Sequence, residues 1–122
     1  MFARVIVEPD PSRAPVYDSV TRQGRFQSFG CAGCGRAVSI DFNKYIGQDC
    51  DPETVLGNEH AEEVAQHFGI QGLSLRNGWP RVRIETCAGC GVRYLVCVAE
   101  FEPRMSWCQG VLHGVTELAP SS

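Results

Sequence analysis

One pentapeptide, CAGCG, occurs twice in this chain, at Cys31–Gly35 and again at Cys87–Gly91. Four thiolates satisfy the tetrahedral preference of Zn²⁺. Two cysteines separated by two residues turn both sulfurs toward one point only where the chain bends sharply. Ala-Gly inside each hook keeps that bend uncrowded. The Gly after the second cysteine can take φ > 0 and is expected to aim a backbone N–H at a sulfur. The spelling therefore predicts one four-thiolate site from Cys31, Cys34, Cys87 and Cys90, with residues 35–86 as an excursion between hooks that meet in space. Arg36 and Arg93, just past the hooks, would offset the charge of such a site.

The flanks repeat as well. RFQSFG-CAGCG-RAVSI aligns with RVRIET-CAGCG-VRYLV, each unit reading strand, hook, strand, although identity is confined to the hook and the leading Arg. Val38 and Ile40 alternate after the first hook, and Val82 and Ile84 alternate with Arg81, Arg83 and Glu85 before the second. VRYLVCVAEF reads as a strand, EPRMS as a turn and WCQGVLHGVTEL as an antiparallel return. Phe2 to Val7 is a short apolar strand, and Pro9, Pro11 and Pro15 mark the following stretch as a loop.

The excursion has its own character. Between Asp41 and Glu63 stand seven acids and one base, while the rest of the chain carries more bases than acids. Asp51-Pro52-Glu53 predicts an N-cap, Pro at the first helical position and an acid in the first turn. Gly57 interrupts, and Asn58 is expected to cap a second helix over 59–68. That helix has Ala61, Val64, Ala65 and Phe68 on one face and Gly69 as its stop. GIQGLSLRNGWP is turn-rich, with Asn77-Gly78 as a turn pair.

With 122 residues the chain has room for one domain, and a metal staple would help a core of that size. A formal charge of −3 argues against bulk attraction to nucleic acid or anionic lipid. No secretory leader and no apolar run long enough to span a bilayer is visible, so no membrane role is expected. Seven cysteines, an odd count with four in CxxC pairs, fit reduced thiols in the cytoplasm better than a secreted disulfide framework.

Over Arg25–Ile40 and Arg81–Leu118 the chain resembles the zinc-ribbon class, in which two CxxCG knuckles on facing β-hairpins bind one structural zinc. That class is shared by functionally unrelated proteins, so the resemblance implies a fold and a metal rather than a role. Rubredoxins also pair CxxCG knuckles, around iron. The proline usual in their second knuckle is absent here, which ranks iron below zinc. A thioredoxin-like redox pair belongs at a helix N-terminus, whereas each hook here is followed by a strand pattern.

Other patterns imitate function. His60-Ala61-Glu62 followed by Cys87–Cys90 copies part of the zinc-deaminase signature. Thr86 replaces its proline, however, a strand replaces its helix, and Cys31 and Cys34 would have no role. EEVAQHFGI opens like a helix-turn-helix but continues into glycines. Cys97, Cys108 and His113 would form a second site only if the last hairpin gathers them. Isolated cysteines in strands are more often small hydrophobes. Arg76, Arg81, Arg83, Arg93 and Arg104, with Phe26, Trp79 and Tyr94, could make a small nucleic-acid platform.

The sequence thus predicts an α+β domain over 1–118: a four-cysteine zinc ribbon with antiparallel hairpins, an acidic helical insertion at 41–79 between the knuckles, and a tail at 119–122. The leading functional expectation is a small, cytoplasmic, non-enzymatic protein of bacterial type with one structural Zn²⁺, serving as a binding or adaptor module for a basic protein partner. The alternatives are nucleic-acid binding through Arg81, Arg83 and Arg93, and a deaminase-like zinc enzyme.

Overall fold

The structure, a computed structural model, describes residues 2–10, 12–70 and 78–120. Its strands are β1 (Phe2–Val7), β2 (Tyr17–Asp18), β3 (Phe26–Gly30), β4 (Ala37–Asp41), β5 (Trp79–Thr86), β6 (Arg93–Arg104) and β7 (Trp107–Leu118). Its helices are α1 (Pro52–Leu56) and α2 (Asn58–Phe68). The order β1-β7-β6-β5 makes an antiparallel sheet, and β2 pairs with β7 beyond the end of β1. β3 and β4 form a separate two-stranded hairpin.

The reason for this layering lies in β6. From Tyr94 to Glu100 every residue is buried, and a strand so uniformly apolar needs cover on both faces. Successive side chains point to opposite sides. Tyr94, Val96 and Val98 cluster with Phe29, Val38, Ile40, Phe42 and Tyr45, from the β3–β4 hairpin and the turn after it. Leu95, Cys97 and Ala99 cluster instead with Val64 and Phe68 of α2. The sheet is therefore a middle layer, with the first hook's hairpin on one side and α2 on the other.

This overturns the expected α+β ribbon with a helical insertion. Strand accounts for 46% of the described residues and helix for 17%, in two short helices. The body of the protein is an antiparallel sheet. The reason is pairing: β6 and β7 zip along twelve residues each, and β1 and β2 extend the sheet across the outer edge of β7. The segment read as an insertion rejoins the sheet at Trp79, two residues before the Arg81 start expected for that strand.

Local signals mostly behave as their chemistry demands. Asp51 accepts from the Thr54 N–H, Pro52 opens α1, and Gly69 ends α2 in the left-handed region at φ 71°. Asn58 is not the cap of α2, however. It is the first helical residue, Gly57 at φ 78° takes the cap position, and no side chain caps there. The β6–β7 turn is Met105-Ser106, with Ser106 at φ 65°. A register shift between Cys97 and Val98 leaves His113 as an extra residue on β7. The turn pair expected at Asn77-Gly78 lies partly outside the described residues, as do Arg76 and the end of the 119–122 tail.

Candidate metal centre

Each hook joins two paired strands. The first links β3 to β4 and the second links β5 to β6. Their internal hydrogen bonds are the same. Cys31 N–H donates to the Arg36 carbonyl (2.8 Å) and Gly35 N–H to the Cys31 carbonyl (2.9 Å). Cys87 N–H donates to Val92 (2.9 Å) and Gly91 N–H to Cys87 (2.8 Å). Gly35 and Gly91 both sit at φ 79°, where a Cβ would be strained. The expectation that these two N–H groups aim at sulfur needs correction, since both close the turn on a carbonyl. Inside the hook, Cys31 Sγ accepts instead from Gly33 N–H at 3.4 Å, and the Cys34 N–H also lowers this thiol.

The hooks face each other across an approximate two-fold relation. Cys31 Sγ lies 3.5 Å from Cys90 Sγ, and the equivalent pair, Cys34 and Cys87, is 3.6 Å apart. All four sulfurs lie within 4.8 Å of one another. Sulfurs about 2.3 Å from a central zinc would stand about 3.8 Å apart at tetrahedral corners. The inner glycines complete the symmetry. A Cβ on Gly33 would come 3.1 Å from Cys90 Sγ and 3.0 Å from Val92, and one on Gly89 would come 2.8 Å from Cδ of Arg36. Each glycine is thus required by the opposite hook, and Arg36 packs against the second hook.

One partner breaks the symmetry. The hydroxyl of Tyr94, wholly buried, donates to Cys31 Sγ at 3.1 Å and accepts from the Ala32 N–H at 2.9 Å. Val38 holds the matching place in the first unit, with no hydroxyl. The Tyr94 bond is the leading cause that lowers the Cys31 thiol to about 6. The N–H groups of Cys90 and Gly89 lower Cys87. Cys90 is pulled down by the Val92 N–H, but the neighbouring thiols outweigh this and push it up to about 12. Without metal, the shifts favour the thiolate at Cys31 and the proton at exposed Cys90. The tyrosine was not legible as part of the site, because nothing in residue spacing marks a hydroxyl that reaches across from β6.

The other candidates do not converge. Among the described residues the four cysteines form the one cluster of ligand side chains close enough to hold a metal ion. Cys97 packs among the residues under α2, Cys108 is half-buried beside Ser19, and His113 is bonded through Nε2 to the Phe68 carbonyl at 2.6 Å. His60 lies on the exposed side of α2, with Nδ1 3.8 Å from Glu63. Cys50, in the loop just before α1, is buried in the core, and burial raises its pKa. The arginines read as a basic face have acidic neighbours. Arg81 pairs with Glu100 at 3.3 Å, and Arg83 lies 3.6 Å from Glu85. Arg93 is also engaged.

Fold and site together define a mostly antiparallel β protein with a symmetric four-cysteine centre, close enough in geometry to bind a metal ion. Compared with known proteins, the chain matches no family model, no curated protein and no solved structure. No helix among the described residues is long and apolar enough to cross a membrane.

Proposed function

We propose that Cys31, Cys34, Cys87 and Cys90 hold one structural Zn²⁺, in the manner of paired zinc knuckles, within a small non-enzymatic binding protein. The observation that carries the metal reading is the two-fold meeting of four sulfurs within 4.8 Å. Zinc bound there would halve the charge of the four thiolates and tie the β3–β4 hairpin to the sheet. Four protein ligands leave no coordination position for water, so a stapling role fits better than Lewis-acid catalysis. A deaminase-like centre would need His60, which sits on α2 beside Glu63.

The test is direct. The protein purified from cells grown in zinc should contain one zinc per chain, with no visible iron–thiolate band. Cys31→Ser should lose both metal and fold, because the metal's binding free energy, about 10–16 kcal/mol in zinc-finger peptides, is folding free energy. A Cys31→Ser protein that keeps its zinc and its fold sinks the four-thiolate reading.

The binding role rests on the acidic exterior of the helical pair, where Glu53, Glu59, Glu62 and Glu63 are exposed. Such a face suits a basic protein partner, with association weakening as salt rises. The nucleic-acid alternative is weaker, because Arg81 and Arg83 lie against carboxylates. Neutralising Glu59, Glu62 and Glu63 together should abolish a salt-sensitive partner in nuclease-treated extract. Retention of every partner, with nucleic acid recovered from untreated extract, would favour the alternative.

A further inference from the structure

The four cysteines are not equally exposed. Cys31 and Cys87 are buried residues, and Cys34 and Cys90 are exposed ones, one from each hook. The sulfur of each exposed cysteine has that of a buried cysteine of the opposite hook beside it: Cys90 against Cys31 at 3.5 Å, and Cys34 against Cys87 at 3.6 Å. An oxidant arriving from solvent meets Cys34 or Cys90 first. The sulfur placed to attack the oxidised product belongs to the other half of the site.

We propose that Cys34 and Cys90 are oxidation sites, and that hydrogen peroxide converts the centre into two cross-hook disulfides, Cys31–Cys90 and Cys34–Cys87, with release of the metal. This rests on the zinc reading above. In the first step the Cys90 sulfur attacks one peroxide oxygen; the S–O bond forms, the O–O bond breaks, and hydroxide leaves. The Cys31 thiolate then attacks the Cys90 sulfur; the S–S bond forms, the S–O bond breaks, and a second hydroxide leaves. Two electrons pass from the two sulfurs to one peroxide molecule. A second peroxide oxidises Cys34 and Cys87 in the same way, so two peroxides give two disulfides and zinc departs unchanged in oxidation state. Closing either pair moves its sulfurs together by about 1.5 Å, toward the disulfide length near 2.05 Å.

The pairing matters for the fold. Disulfides within each CxxC would leave the hooks unjoined once the metal has gone. Cross-hook disulfides keep β3–β4 tied to β5–β6, so the oxidised protein replaces one link with another.

Trypsin distinguishes the two outcomes, because cleavage after Arg25, Arg36, Arg83 and Arg93 isolates each hook in its own peptide, 26–36 and 84–93. Zinc content is measured first on the reduced, full-length protein. A protein without zinc there refutes the metal reading itself, before any oxidation. The zinc-loaded protein is then titrated with hydrogen peroxide, with release followed by a chromogenic chelator and disulfides mapped by non-reducing mass spectrometry. The expected result is release of the bound zinc together with a 26–36/84–93 heteropeptide whose fragments place the bonds at Cys31–Cys90 and Cys34–Cys87. Separate peptides, each two hydrogens lighter, overturn the proposal. So does Cys31–Cys87 pairing in the heteropeptide, or zinc retained at peroxide levels that oxidise a free-cysteine peptide.

Discussion

Replacing Tyr94 with Phe removes one oxygen atom from the centre and leaves the packing of the ring intact. That oxygen makes two bonds, one donated to Cys31 Sγ at 3.1 Å and one accepted from the Ala32 N–H at 2.9 Å. Hydrogen bonds of this kind contribute about 0.5–1.5 kcal/mol each, so Tyr94→Phe should lose about 1–3 kcal/mol. In zinc affinity this is about tenfold to a hundredfold, the range seen when a partner of a metal ligand is removed elsewhere. The assay is competition for zinc against a chelator of known affinity, alongside a urea melt of the zinc-loaded protein. The ring should stay seated edge-on against Phe29, whose centroid is 4.9 Å away, so the denaturant slope should not change. The pH dependence of zinc affinity supplies a second readout. The Tyr94 bond lowers the Cys31 thiol from 9.0 to about 6, so zinc has little proton to displace there at neutral pH. Tyr94→Phe should make zinc affinity fall more steeply as pH drops through neutrality. Zinc affinity within twofold of the parent, with the pH slope intact, would refute the claim that this hydroxyl supports the site.

Other perturbations test the frame around the centre. A Cβ on Gly24 would lie 1.7 Å from the Val16 carbonyl oxygen at a φ of +72°. Gly24→Ala should therefore cost at least about 2 kcal/mol by denaturant midpoint. Phe68, almost wholly buried and packed against Gly114, should cost about 3–5 kcal/mol as Phe68→Ala. Asp51→Ala removes the cap of α1 and should cost about 0.5–2 kcal/mol, while zinc stoichiometry stays unchanged. Arg81→Ala leaves the buried Glu100 with the Gly47 N–H as its remaining partner among the described residues, and the thermal midpoint should fall.

The hooks were legible because their residues repeat; that Gly33 and Gly89 are small because the opposite hook approaches them was not. β1, α2 and β7 were legible because apolar spacing and stop residues coincide there. The larger architecture was not. Continuous burial along Tyr94–Glu100 shows that β6 is covered twice, but not by what. Only the packing of Tyr94, Val96 and Val98 on the β3–β4 hairpin and of Leu95, Cys97 and Ala99 on α2 settles it. The partners of the arginines were not legible for a related reason. Glu100, the partner of Arg81, is nineteen residues away in sequence and diagonally across the ladder in space. His113, a ligand only if the last hairpin gathered it with Cys97 and Cys108, sits beside a register shift on β7 and is bonded to the last carbonyl of α2.

The ladder that pairs Phe2 with Leu118 has a kinetic meaning. The β5–β6–β7 meander is built from neighbours in sequence and presents the second hook early. The first hook must be carried in across residues 35–86, and β1 must find a strand at the other end of the chain. Contacts of such long separation slow folding relative to local hairpins. The second hook should therefore be formed and waiting before the first arrives, and hydrogen-exchange protection should rise in β6 before it rises in β1. A folding chain held up at that stage would expose the uncovered Tyr94–Val96–Val98 face of the sheet, which is the surface a chaperone would meet.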